Sequence, residues 1–288
     1  MMKTTLKALA LVTAAGVSGI ANAATPTWVD GTTPFNKTFT ASGTVLGKEF
    51  SQKWQWAVGP GLPNLQGALS QAQASNGNKV TIIIPQVTPI LVGNTKEAFV
   101  VPAIFGQGGG GAIPHIAFKN GAKPTTLGDP EYTEGPAFIN IDVNGADQTK
   151  IGTAKLSVTA LAVEMVGKKD EQANLNMLYA SNNANIFYGG LPSAEYISLN
   201  VMKSVATIEQ FGGLSAEEMK TQVGARTFTP LSGRINENMC YEDGRIVSAS
   251  YALGFLAGQT IEVSFDNGQK PTSTTEWTAK LGIVVTYN

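Results

Sequence analysis

Apolar and polar residues alternate along much of this chain. In 79–85 (KVTIIIP), 137–143 (AFINIDV), 152–160 (GTAKLSVTA) and 259–265 (QTIEVSF) every second side chain is apolar, at least in part. That period sets one face of an extended segment against a core and the other in water. Turn signals separate these runs: Asn76-Gly77, Asn120-Gly121, Asn144-Gly145, Asp243-Gly244 and Asn267-Gly268 are pairs that favour tight hairpin turns. With 32 glycines in the chain to supply positive φ at such turns, the pattern predicts an antiparallel, all-β body.

One region departs from this rhythm. Leu199, Met202, Val205, Ala206 and Ile208 recur at mostly helical spacing and end at Phe211-Gly212-Gly213, a glycine stop. Ser215 followed three residues later by Glu218 fits a capping box and starts a second helix. Residues 168–181 are expected to add a further helix and 65–74 a short one. The stretch 167–224 is therefore expected to be an α-containing insertion in the β body.

The first residues give the destination. Lys3 and Lys7, the short apolar run 9–17 and the small residues Ala21-Asn22-Ala23 make a secretory signal, 1–23, with cleavage after Ala23. The run is too short to span a bilayer, and later apolar stretches are interrupted by Pro85 and Pro89 or are shorter still. Without Lys3 and Lys7 the 20 basic residues become 18, against 21 acidic ones. No basic block exists for nucleic acid. Cys240 is the single cysteine, so packing and sheet hydrogen bonds must hold this exported fold without an intrachain disulfide.

Chemical motifs are scarce. A single histidine, His115, excludes multi-histidine metal sites within one chain, and no cofactor is expected. Its setting, IPHIAF at 113–118, reads as strand, and no nucleophile elbow accompanies it. The glycine run 106–111 (GQGGGG) matches a dinucleotide fingerprint in letters only, because no helix follows to hold a phosphate. Glu131, Glu134, Asp142 and Glu164 could in principle supply a glycosidase pair, but surface solvation is the default reading.

The two ends of the mature chain belong together. Leu281, Ile283, Val285 and Tyr287 alternate to the penultimate residue, as if the chain stopped inside a core strand. A sandwich short of its last strand would expose both an apolar groove and a row of backbone groups. Near the front, Phe35, Phe39, Ala41, Gly43 and Val45 share one face in an extended conformation. They could fill a neighbour's groove by strand addition, or form an ordinary first strand.

Several blocks in order carry a family resemblance: Phe35-Asn36, QKWQW at 52–56, TKEAF at 95–99, IPHIAF at 113–118, IFYGGLP at 186–192, Asp243-Gly244, VSA at 247–249, YALG at 251–254, GQTIE at 258–262, Glu276-Trp277 and VTY at 285–287. In these the chain resembles the FaeG-type major subunits of enterobacterial chaperone-usher fimbriae, which are also adhesins, over almost its whole mature length. The resemblance implies an incomplete immunoglobulin-like β-sandwich (48–288) with an inserted α/β subdomain at about 167–224. Donor-strand complementation would complete it, first by a periplasmic chaperone and then by the N-terminal extension (24–47) of the next subunit, after export through an outer-membrane usher to the cell surface.

It also implies a host-carbohydrate site just before the 186–188 block, in LYASNNAN at 178–185. An aromatic face can stack on a sugar ring while amides bond its hydroxyls, which makes Tyr179, Asn182, Asn183 and Asn185 the candidates; Tyr188 is open between binding and packing. Residues 119–235 diverge most from the family pattern. The alternatives are a purely structural fimbrial subunit and, further off, a secreted β-sandwich glycosidase.

Overall fold

A computed structural model describes residues 51–68, 70, 78–101, 112–130, 135–193, 200–267 and 271–287. The chain divides into two compact units, Met1–Val45 and Leu46–Asn288, and the described residues belong to the second. The signal segment, the extension with Phe35, Phe39, Ala41, Gly43 and Val45, the glycine run 106–111, Glu131 and Glu134 lie outside them, as do residues 69 and 71–74 of the short helix expected at 65–74, whose residues 65–68 are not helical.

The body is antiparallel β, with one long strand as its spine. Strand β7 (Lys150–Gly167) pairs through its first half with β6 (Ala137–Gly145) and β11 (Thr260–Phe265), and through its second half with β10 (Ile246–Phe255) and β8 (Gln172–Leu178). The sheet continues from β10 to β3 (Thr88–Thr95) and β1 (Trp54–Val58), and from β11 to β2 (Lys79–Ile83). A separate sheet holds β13 (Leu281–Tyr287), β4 (Pro114–Asn120) and β5 (Lys123–Thr125). The alternating runs at 79–85, 137–143, 152–160 and 259–265 all fall on strands, and Asn120-Gly121 turns the β4–β5 hairpin with Gly121 at φ 61°.

The burial of β7 shows why its sequence changes character midway. From Lys150 to Ala160 buried and half-buried residues largely alternate, whereas from Ala160 to Gly167 every residue is buried. The first half has one covered face. The second is covered on both, which removes the polar alternation. On one side lies the main core, with Ala160, Ala162, Val166, Ile139, Phe118, Leu253 and Tyr251. On the other, Leu161, Val163 and Met165 meet two helices, α1 (Val201–Gln210) and α2 (Ala216–Val223).

Local sequence explains how these helices begin and end. Asn200 caps α1, its side-chain oxygen accepting from the Met202 amide at 2.8 Å. At the other end the amides of Gly212 and Gly213 bond back to Glu209 and Ile208, both at 2.9 Å, with Gly212 at φ 95°, the bonding of a Schellman stop. The capping box is present: the Glu218 amide donates to Ser215 Oγ and the Ser215 amide to Glu218 Oε2. The buried face of α1 differs in phase from the expected one. Val201, Ser204, Val205, Thr207 and Ile208 turn inward, and Met202 is 40% exposed.

One expectation needs correction. Residues 168–181 form no helix, for their centre is strand β8, where Ala173, Leu175 and Met177 alternate inward against the helices. Residues such as Leu, Met and Ala suit a helix by propensity, and the open edge of β7 overrides it. After the helices the chain returns to β8. Strand β9 (Thr227–Ile235) pairs with β8 in parallel, and a parallel pair needs a crossover. Residues 179–226, including both helices, supply it.

Candidate functional site

The first candidate is the edge of β13. One side of this strand bonds to β4 in continuous register, Ile283 opposite Phe118 and Val285 opposite Ile116. Its other side pairs with no strand among the described residues. Phe118 and Ile116 are 1% and 3% exposed, yet Leu281, Ile283, Val285 and Tyr287, on the same face, are only half-buried as they pack against the main core. Among the described residues, core-directed side chains thus stand partly open beside a backbone edge that pairs with no strand. Trp56 Nε1 donates to the Tyr287 hydroxyl at 2.8 Å, tying this end of the strand to β1.

The second candidate is the loop that follows β8. Asn185 organises it from within. Only 6% exposed, its side-chain oxygen accepts from the amides of Ser181 and Asn182 at 3.0 and 3.1 Å. Asn182 in turn accepts from the Ala184 amide at 2.9 Å, an Asx turn. Asn182 and Asn183 are exposed and Tyr179 is half-buried. The structure thus gathers the four expected residues into one loop but separates their roles: Asn185 is buried and committed to the turn, Asn182 is exposed but braces the turn as well, Asn183 is exposed and Tyr179 is half-buried.

The loop is fixed to the core at Phe187. This residue sits at φ 63°, uncommon for a side chain of its size, with its ring 5.4 Å from Trp54, 6.2 Å from Trp56 and 5.2 Å from Tyr251 between centroids. On either side of it the backbone adds a rung to β4: the Phe187 amide donates to Pro114 and the Ile116 amide to Tyr188. Gly189 then has to be glycine, because at φ 80° a Cβ would lie 2.3 Å from the Ile116 carbonyl oxygen. Tyr251 closes the anchor with a hydroxyl bond to the Gly190 carbonyl at 2.9 Å.

Tyr188 and His115 complete this surface. Tyr188 is 39% exposed, with the imidazole of His115 edge-on at 5.5 Å. His115 Nε2 lies 2.8 Å from the Asn183 carbonyl, to which its N–H donates in the matching tautomer. Burial lowers the His115 pKa from its ordinary value, partly offset by the Asn183 carbonyl. No sequence pattern places His115 beside this loop, since 68 residues separate it from Asn183.

Comparison with known proteins settles the family. The sequence profile of the family described as "Fimbrial, major and minor subunit", the K88 fimbrial family, matches residues 2–288. The chain belongs to this family. It is similar to K88 fimbrial protein AD of Escherichia coli, 36% identical over 303 residues that cover 99% of this chain and 100% of the relative. K88 fimbrial protein AC of the same organism is 36% identical over 297 residues with the same coverage. F41 fimbrial protein of Escherichia coli is 26% identical over 307 residues, spanning both chains completely. This fimbrial subunit is accordingly a cell-surface component that assembles with copies of itself, and its relatives are structural proteins.

The remaining chemistry of the fimbrial subunit lies away from the loop. Asp142 is held by Lys150 at 2.7 Å, and the Lys150 hydrogen bond keeps its carboxyl below the usual range. Glu164 is fully buried, out of reach of a sugar. A cleft of about 610 Å³ opens between α1 and the first half of β7, near Lys203, Thr207, Arg234 and Gln259. Its described lining has no aromatic ring on which a sugar could stack. Among the described residues no group of three or more His, Cys, Asp or Glu side chains could hold a metal, and no helix is long and apolar enough to cross a membrane.

Proposed function

We propose that this fimbrial subunit polymerises by donor-strand exchange and that its 179–188 loop binds a host carbohydrate. The observation that carries the assembly reading is the open edge of β13. It offers backbone groups along seven residues and a half-covered row of apolar side chains. An extended peptide with apolar residues at every second position satisfies both needs at once. Phe35, Phe39, Ala41, Gly43 and Val45 of the adjoining subunit provide that pattern, the smaller residues suiting places where the groove narrows. Before assembly a periplasmic chaperone would occupy the same edge, and an outer-membrane usher would exchange it for the incoming extension.

The adhesin reading rests on the loop surface. Tyr188 offers an exposed ring, Tyr179 is half-buried in the same loop, and Asn182 and Asn183 are exposed. Asn185 serves as the internal brace. Aromatic stacking adds about 0.5–1.5 kcal/mol beyond area burial, so Tyr188→Ala or Tyr179→Ala should each weaken glycan binding roughly 2- to 12-fold. Glycan-array titration of isolated fibres measures this, with the melting temperature as control. Equal binding by wild type and both variants would sink the loop as the site. Fibres that bind no glycan at all would establish the purely structural alternative. We propose no catalytic role; oligosaccharide turnover by isolated fibres would contradict this.

A further inference from the structure

A buried acidic pair lies outside everything the assembly edge and the loop require. Glu164 stands in the fully buried half of β7, 0% exposed, between Val163 and Met165. Its register partner on β8 is Asn176, whose Nδ2 donates to Oε1 at 3.0 Å. The other carboxyl oxygen, Oε2, receives no hydrogen bond. A buried acceptor left in this state costs free energy. Beside it lies a second carboxyl, that of Glu237, within hydrogen-bonding reach and itself only 3% exposed.

Glu237 has its donors already. The Tyr241 hydroxyl bonds Oε2 at 2.5 Å, and the Met239 amide bonds Oε1. Both of its carboxyl oxygens therefore already act as acceptors. Glu164, with a single amide donor, one oxygen that receives no hydrogen bond and a second carboxyl beside it, fits the protonated one of the two. The other charged groups nearby are Arg245, whose guanidinium lies 4.2 Å from the Tyr241 ring centroid, and Asp243, which bonds Arg245 at 2.8 Å. Lys168 acts on Asp243 from beyond.

We infer that Glu164 and Glu237 share one proton, carried on Oε2 of Glu164 and donated to Glu237, and that it clamps β7 to the 235–241 segment beneath the loop. That segment is the loop's support. The Tyr179 amide donates to the Ile235 carbonyl at 3.1 Å, the Ile186 amide to the Glu237 carbonyl at 2.8 Å, and the Ser181 amide to Asn236 Oδ1 at 3.2 Å. Losing the proton sets two negative charges against each other in a dry site, where their repulsion is least screened. The clamp stands on its own; its effect on sugar binding rests on the loop being the carbohydrate site.

The sign of the pH dependence follows. Burial, and next the charge of Glu237, hold the Glu164 pKa well above the usual carboxylate value. The folded state therefore keeps a proton that the unfolded chain releases above about pH 4.3. Stability is greatest near or below that pH and declines as the pH rises toward the folded pKa.

Hydrogen exchange of the full chain in its fibres tests this, following the peptides that contain Tyr179, Ser181 and Ile186 between pH 5 and 9, corrected for intrinsic exchange. Protection there is expected to fall with pH by up to roughly tenfold per unit across the titration, while amides in the first half of β7 change less. Glu164→Gln should flatten the dependence, because its amide donates to Glu237 and its carbonyl accepts from Asn176 without titrating. Glu237→Gln has one oxygen for two donors and should lose protection at every pH. An unchanged pH dependence in Glu164→Gln, or equal damage from both variants, overturns the shared proton. So does added calcium restoring protection at high pH, which would make the pair a cation site. If Glu164→Gln does not fold, the infrared carbonyl band of a buried protonated carboxyl at neutral pH decides: its presence in wild type supports the clamp and its absence overturns it.

Discussion

A chain lacking residues 24–47 is expected to be exported but to enter no fibre, and to persist only while a chaperone covers it. The half-buried row Leu281, Ile283, Val285 and Tyr287 would then face water along an edge that also presents backbone groups, the combination that drives aggregation. Each large apolar side chain buried from a donor contributes about 1.5–3 kcal/mol, so Phe35, Phe39 and Val45 together supply roughly 4–9 kcal/mol before ordering costs. That range is comparable with the whole stability of many domains, about 5–15 kcal/mol. Electron microscopy of surface fibres and fractionation of the periplasm measure the outcome. A synthetic peptide spanning 35–47 should rescue the truncated subunit as a soluble complex, and one with Asp at 35, 39 and 45 should not. Recovery of the truncated chain as a stable, soluble monomer with no helper protein would end the strand-exchange account.

Phe187→Ala should lower the stability of the subunit by about 3–5 kcal/mol, the usual cost of emptying a buried aromatic site. Phe187 is 0% exposed and touches the rings of Trp54, Trp56 and Tyr251, so no single neighbour can move to fill its space. It also pins the loop whose next residue is Tyr188, and glycan affinity should fall with stability. Phe187→Gly distinguishes strain from packing. It leaves a cavity larger by one methyl group but relieves the left-handed backbone, which costs a non-glycine residue about 1–2 kcal/mol, and it should therefore be the less harmful of the two. Chemical denaturation of a strand-completed subunit measures both. A loss below about 1 kcal/mol for the alanine variant would mean that the loop is not anchored through this ring.

The sequence by itself determined the elements whose cause is local. Period-two alternation marks a strand that has one covered face, which is why β2, β6, β11 and the first half of β7 were legible. The helix boundaries were legible for the same kind of reason, because Ser215 with Glu218 and Phe211-Gly212-Gly213 act within a turn of themselves. The family blocks fixed the kind of protein, and the 178–185 segment located a loop with Asn182 and Asn183 exposed.

Tertiary structure alone decided the rest. Strand β8 was misread as helix because its extended form is set by pairing with β7 and β9, and the outer half of β7 hides its alternation because helices cover its second face. Asn185 looks like its neighbours in the sequence, and only the folded turn shows its oxygen taken by two amides. His115, Tyr188 and the pair Glu164 and Glu237 meet across long stretches of chain, so their chemistry comes from proximity in space, which no local pattern of side chains encodes.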